Sequence, residues 1–195
     1  MNQSHSQNPF GVLLPVIIMA IALGWMGRTA WCQCGGFSPW SWEVDSSHNS
    51  QHLIDPYTFT HVLHGVVFFG VLFVTGKLPL PVLQKRLNRH VKLTIACVIE
   101  CLWEIVENSP WIIDRYREAT ISLDYYGDSI ANSVADVIAC LAGYVLASKI
   151  PWYASVTYFL ATEFALLLTI RDSLILNVIM LTFPSDAILQ WQSDG

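Results

Sequence analysis

Five stretches of this chain are long, apolar and almost free of charge, and they restrict its fold more than any other feature. A helix needs about 20 mostly apolar residues to cross the hydrocarbon core of a bilayer. Runs at about 10–27, 57–76, 93–113, 127–148 and 152–170 meet that requirement. Lipid cannot satisfy backbone N–H and C=O groups, so each run is expected as a helix. The expected fold class is all-α, a polytopic transmembrane helix bundle forming one domain over residues 1–195. A last apolar run, Ser173–Phe183, is too short to span upright and is expected as a half-helix, a re-entrant piece or an interfacial segment, with a sixth span reaching toward Trp191 as the alternative.

Charge supports this class. Only 13% of residues are charged, against about 25% in a soluble domain. The net charge is −5 and the bases form no stripe, which excludes a nucleic-acid partner and leaves membrane lipids as the expected surroundings. Of the ten Lys and Arg, Lys77, Lys85, Arg86, Arg89 and Lys92 lie between the second and third runs with no acid among them. The positive-inside rule then makes 77–92 a cytoplasmic basic loop and places the N-terminus on that side. Loops 28–56 and 114–126 are expected outside. The flank MNQSHSQNP lacks the basic start of a signal peptide, so the first run is expected to be retained. The external loop 28–56 carries Trp31, Trp40 and Trp42, suited to the headgroup level or to a protein partner.

The ionisable residues inside the runs fall into three stripes. His61 and His64 are spaced i, i+3; Glu100, Glu104 and Glu107 are spaced i, i+4, i+7; Asp124, Asp128, Asn132 and Asp136 recur every four residues. Each set shares one helical face. Charges at membrane depth cost roughly 2.5 to 3.5 kcal/mol each, so they turn toward the bundle interior. The topology brings all three stripes toward the external leaflet, with Glu163 in the outward half of the fifth run. An acid-rich cavity is expected there, compensated by protonation or by cations. A divalent metal (Zn, Mn or Fe) held by His61, His64, Glu104 and Asp128, with Asn132, Asp136 and Glu163 supporting them, fits the donor types. Cys97, Cys101 and Cys140 are expected as small core residues, and Gly65, Gly70 and Gly143 as points of close helix approach. Cys32-Gln33-Cys34 lies in the external loop. A disulfide across one residue is strained, so a redox pair, a more distant partner, a metal and free thiols all stay open.

The strings WCQCGG, SSHNSQHLIDPYTFTHVLHG, ECLWEIVENS, DYYGDSIANSVADV and RDSLILNVIML resemble the bacterial multi-pass membrane family catalogued as UPF family 0314, or domain of unknown function 2585. The resemblance runs from Trp31 onward. It implies the bacterial inner membrane and brings no activity with it. The order of a His helix, a Glu helix with a following Arg, and an Asp-x-x-x-Asn helix is similar to VanZ-like membrane proteins. The matching positions are His61 or His64, Glu104 or Glu107, Arg115 or Arg117, and Asp128 with Asn132. The Cys-x-Cys loop, the third Glu and Asp136 depart from that pattern.

Three functions are compatible with these residues. One is a metal-dependent enzyme acting on a lipid or envelope precursor, with Glu107 or Glu100 as general base and Arg115 or Arg117 binding a phosphate headgroup. Another is a non-catalytic assembly or lipid-binding protein that uses the Trp-rich loop. A third is a small proton-coupled transporter with Glu100, Asp136 and Glu163 as relay.

Overall fold

Helix starts in this chain follow its capping residues. Asn88 accepts a hydrogen bond from Val91 N, Ser109 from Ile112 N, Ser129 from Asn132 N and Ser173 from Leu176 N, each opening a helix by satisfying a free N–H of its first turn. The computed structural model describes residues 10–77, 87–120, 122 and 124–193. Among them are the helices α1 (Phe10–Trp25), α2 (Thr58–Thr75), α3 (Arg89–Glu107), α4 (Pro110–Ala119), α5 (Ile130–Ala147), α6 (Trp152–Ile170), α7 (Leu174–Thr182) and α8 (Asp186–Ser193). Residues 1–9 and 78–86 lie outside the described residues, and with them Lys85 and Arg86 of the expected basic loop.

Three described helices, α2, α5 and α6, are long and apolar enough to cross a membrane. The 16-residue α1 is apolar but shorter, and α3 carries Arg89, Lys92, Glu100, Glu104 and Glu107. The run expected as one helix from 93 to 113 is in fact two. Pro110 has no N–H to continue the ladder and pushes Ser109 into extended backbone (ψ 150), so α3 ends at Glu107 and α4 begins anew. The short run after Asp172 forms the nine-residue α7, about 13 Å long and far short of a bilayer. Its chain then folds back, with Gln192 Nε2 donating to Arg171 O at 3.1 Å.

Polarity is arranged inside out. Leu13, Ile17, Ile21, Val71, Val74, Leu160 and Phe164 face outward, while Glu100 and Glu104 are 0% exposed. The main core cluster joins Met19 and Leu23 of α1 to Cys97 and Cys101 of α3 and Val137 of α5, so these cysteines serve as small apolar residues. The closest helix pair is α2 with α5. A Cβ at Gly65 would collide with the carbonyl oxygen of Cys140, and one at Gly143 with that of Val62. Gly70, expected to play the same part, has nothing within 4 Å of where its Cβ would stand.

At one end of the bundle the segment 28–56 lies on the residues that lead into α5. Gln51 Nε2 donates to Gly127 O at 2.7 Å, Ser129 N to Ser50 O at 3.0 Å and Asn132 Nδ2 to His52 O at 2.8 Å. Just ahead of α2, Thr58 N donates to Asp55 Oδ1 at 3.0 Å and Asp55 N to Thr58 Oγ1 at 3.1 Å, a reciprocal pair that fixes where the helix starts.

Candidate functional site

The one-turn spacing of His61 and His64 on α2 aims both rings at the same residue of α3. His61 Nδ1 lies 2.6 Å from Glu100 Oε1, and His64 Nδ1 lies 3.0 and 3.1 Å from its two oxygens. One α3 turn further on, Glu104 Oε1 is 3.3 Å from His61 Nδ1, which is already committed to Glu100. From α5, Asp136 Oδ2 reaches to 4.0 Å from His61 Nε2. Two sets can each place one ligand atom per residue within 4.8 Å of the others: His61 with His64 and Glu100, and His61 with Glu104 and Glu107.

The carboxylates are under-satisfied. Both oxygens of Glu104, Oε2 of Glu107 and Oδ1 of Asp136 are buried with no hydrogen-bond partner among the described residues. Buried polar atoms in folded proteins are nearly always paired, and a lone buried carboxylate is far costlier than a lone amide. Glu107 Oε1 does have a donor, the Tyr116 hydroxyl at 2.8 Å.

Beside this cluster lies a cavity of about 330 Å³, a size typical of small-ligand sites. Thr60, His61, His64, Glu107, Asp128 and Asp136 give it a polar side, and Phe68, Ile99, Trp103, Leu174, Val178 and Leu181 an apolar one. Asn49 and Ser50 of the capping segment close part of its wall. Among the described residues no Lys or Arg lines it.

Several expected site residues sit elsewhere. Asp128 lines the cavity but belongs to neither ligand set. Its oxygens are engaged by Tyr125 OH at 2.9 Å and Asn108 Nδ2 at 2.8 Å, and its N–H by Asn108 Oδ1 at 2.7 Å. Glu100, a candidate general base, is held by both histidines and does not line the cavity. Arg115 Nε donates to Leu181 O at 3.0 Å, and Arg117 is exposed, so neither supplies a cation to the cavity. Asn132 anchors the capping segment through His52 O and Asp55 Oδ2. Glu163 is apart from the cluster: its two oxygens accept from Leu174 N and Ile175 N at 3.0 Å each, capping the positive end of α7. A relay through Glu100, Asp136 and Glu163 therefore lacks its third member.

Tyr57, Tyr116 and Tyr125 complete the polar wall, and Asn108 stands behind it on Asp128; helical spacing could not reveal them because none repeats with the His, Glu or Asp stripes. Tyr57 OH donates to Asp172 Oδ2 at 3.1 Å, which also accepts from Asn177 Nδ2 at 3.1 Å. Burial pushes Asp172 and Asp55, both in connecting segments, up to about 6. Each folded-state carboxyl thus holds its proton after the unfolded one, near 3.8, has lost it. The folded state binds more protons between about pH 4 and 6, so stability falls as pH rises through that window, by up to roughly 3 kcal/mol per group. Asp172→Asn removes the titrating group and gives up one acceptor, because Ser173 N, Tyr57 OH and Asn177 Nδ2 all donate to its two oxygens. It is expected to lower stability by a pH-independent amount and to flatten this slope in thermal unfolding of the detergent-solubilised protein followed from pH 4 to pH 7. An unchanged slope would mean that Asp172 is ionised in the folded state.

Residues 23–194 match the family described as protein of unknown function DUF2585. A UPF0314 protein of Paracoccus denitrificans is 44% identical over 184 residues, covering 94% of this chain and 91% of its own length. A UPF0314 protein of Sinorhizobium fredii is 46% identical over 180 residues, covering 91% and 86%. One of Brucella anthropi is 44% identical over 187 residues, covering 94% and 90%. No solved structure matches.

Proposed function

This chain belongs to the DUF2585 family of unknown function, and from its geometry we propose that it is a bacterial inner-membrane enzyme in which a divalent cation serves a lipid or envelope precursor seated in the cavity. The observation that carries this reading is the set of buried carboxylate oxygens on Glu104, Glu107 and Asp136 that lack partners beside two converging histidines. A cation would satisfy them. His61, His64 and Glu104 would hold it, a nitrogen and oxygen donor set that suits Zn²⁺, Mn²⁺ or Fe²⁺, with Glu100 orienting both imidazoles and the cation's charge offsetting the unpaired oxygens of Glu107 and Asp136.

Such a cation supplies Lewis acidity toward a phosphoryl or carbonyl oxygen. Glu107 would act as general base; one of its oxygens is fixed by Tyr116 and the other lacks a donor among the described residues. Among the described residues no Lys or Arg lines the cavity, so an anionic head would find its counter-charge there in the cation. The apolar side formed by Phe68, Trp103, Leu174 and Val178 suits an acyl or isoprenoid chain. The segment 28–56 would cap the site from outside the membrane.

The same apolar wall also supports a non-catalytic lipid-binding protein, and one experiment separates the two. Purified protein is incubated with an inner-membrane lipid extract, with and without chelator, and the lipids are followed by mass spectrometry. The enzyme reading expects a chelator-sensitive change in headgroup species that Glu107→Gln abolishes. Lipid that is retained unchanged by metal-loaded protein favours the binding reading and contradicts catalysis.

A further inference from the structure

A second cluster of metal-type donors lies in the segment 28–56, away from the buried centre. Cys32, Cys34, His48 and His52 can each place a ligand atom within 4.8 Å of all the others. Cys32 Sγ is 3.5 Å from His48 Nδ1, and His52 Nε2 is 3.3 Å from the same nitrogen. Tetrahedral zinc, with bonds of about 2.3 Å to sulfur and about 2.05 Å to nitrogen, puts sulfur and nitrogen ligands about 3.5 Å apart and two nitrogens about 3.3 Å apart. These are the two separations found.

The surroundings fit the same chemistry. Ser38 O lies 2.7 Å from His52 Nδ1, and a carbonyl can only accept. The ring proton is therefore on Nδ1, and the Nε2 lone pair points at the cluster, as in metal-bound histidines whose second nitrogen is held by a carbonyl. Both sulfurs accept backbone N–H groups, Cys32 Sγ from Cys34 N at 3.3 Å and Cys34 Sγ from Gly36 N at 3.4 Å. Such bonds favour the thiolate form that zinc requires.

We propose that Cys32, Cys34, His48 and His52 form a structural Zn²⁺ site that clips the segment 28–56 closed. The consequence for the fold is local and specific. Between the two histidine ligands lie Asn49, Ser50 and Gln51. Asn49 and Ser50 line the cavity, Ser50 is held at φ 56, and Gln51 is tied to Gly127 O. A metal on His48 and His52 fixes both ends of this piece of cavity wall. The inference does not depend on the function proposed for the buried centre.

Cobalt tests it, because thiolate-to-Co²⁺ charge transfer arises only where sulfur binds the metal. Full-length protein, purified in detergent under reducing conditions and stripped by chelator, is titrated with Co²⁺. About one equivalent is expected to produce the near-ultraviolet charge-transfer band together with the visible bands of tetrahedral cobalt. Cys34→Ser and His52→Gln should lose the charge-transfer band, and Glu100→Gln and His64→Ala should keep it. A second readout needs no variant. Cys34 is exposed and the other four cysteines are buried, so maleimide labelling of the folded protein reports on Cys34. Labelling is expected to be blocked by Zn²⁺ and restored by chelator. Absence of the charge-transfer band, labelling indifferent to Zn²⁺, or thiols that react only after reduction would each overturn the site.

Discussion

Glu100→Gln is expected to weaken divalent-cation binding at the buried centre by roughly 10–100-fold, the usual cost of removing a group that holds metal-binding histidines. Glu100 is fully buried, and both histidine Nδ1 atoms rest on its carboxylate. A carboxylate accepts from both rings at once. A glutamine side chain offers one oxygen and one NH₂, so one imidazole loses its partner and meets a competing donor. The substitution changes almost no volume, which separates this loss from a packing defect. Titration calorimetry with Mn²⁺ on the stripped protein measures the affinity, and Glu118→Gln, at an exposed position outside the cluster, serves as the control. Equal affinity in Glu100→Gln and the control would remove Glu100 from the centre.

Gly65→Ala and Gly143→Ala are each expected to destabilise the bundle by about 1–3 kcal/mol, the usual range for overpacking, or more. The collision in each case is with backbone of the facing helix. At Gly65 a Cβ would overlap Cys140 O and stand 2.6 Å from Tyr144 N; at Gly143 it would overlap Val62 O. A backbone carbonyl cannot rotate aside as a side chain can, so α2 and α5 must separate. That movement carries His61 and His64 away from Asp136, so metal affinity should fall together with stability. Gly70→Ala is the internal control on the same helix. Its Cβ meets nothing within 4 Å, and replacing a helical glycine by alanine gains up to about 1 kcal/mol. Thermal unfolding in detergent should therefore give a lower midpoint for the first two variants and an equal or higher one for the third. A uniform response of all three glycines would show that the close α2–α5 contact is absent.

Much of this architecture was legible because it rests on local pattern. The periodicity of His61/His64 and of Glu100/Glu104/Glu107 identified the faces that meet, since residues at helical spacing share a face whatever the tertiary fold. The helix over 152–170 is bounded as the apolar run and Pro151 suggest. The break before Pro110 also had a local signal in Asn108-Ser109-Pro110, but the apolar run Trp111-Ile112-Ile113 made the segment look continuous.

What periodicity could not resolve was partnership between elements. Asp128 has the right spacing for the polar stripe, yet Tyr125 and Asn108 occupy it. Glu163 looked like one more intramembrane acid, yet it caps α7, a helix whose docking no local pattern specifies. Arg115 lies close in sequence to the Glu stripe, but the Pro110 break redirects α4 and leaves its guanidinium on Leu181 O. Gly65, Gly70 and Gly143 are indistinguishable in sequence, and only the crossing of α2 and α5 selects two of them.

The central claim, a cation held among His61, His64, Glu100 and Glu104, is tested most directly by counting metal in a protein that cannot use its loop cluster. The variant Cys34→Ser with His52→Gln, purified in detergent from metal-replete cells, is analysed by plasma mass spectrometry beside the same variant carrying Glu100→Gln. The account predicts about one equivalent of a single divalent metal in the first and little in the second, as expected when both metal-binding histidines lose the carboxylate that orients them. A folded, monodisperse first variant with no metal would contradict it, and the unpartnered carboxylates of Glu104, Glu107 and Asp136 would then have to be protonated.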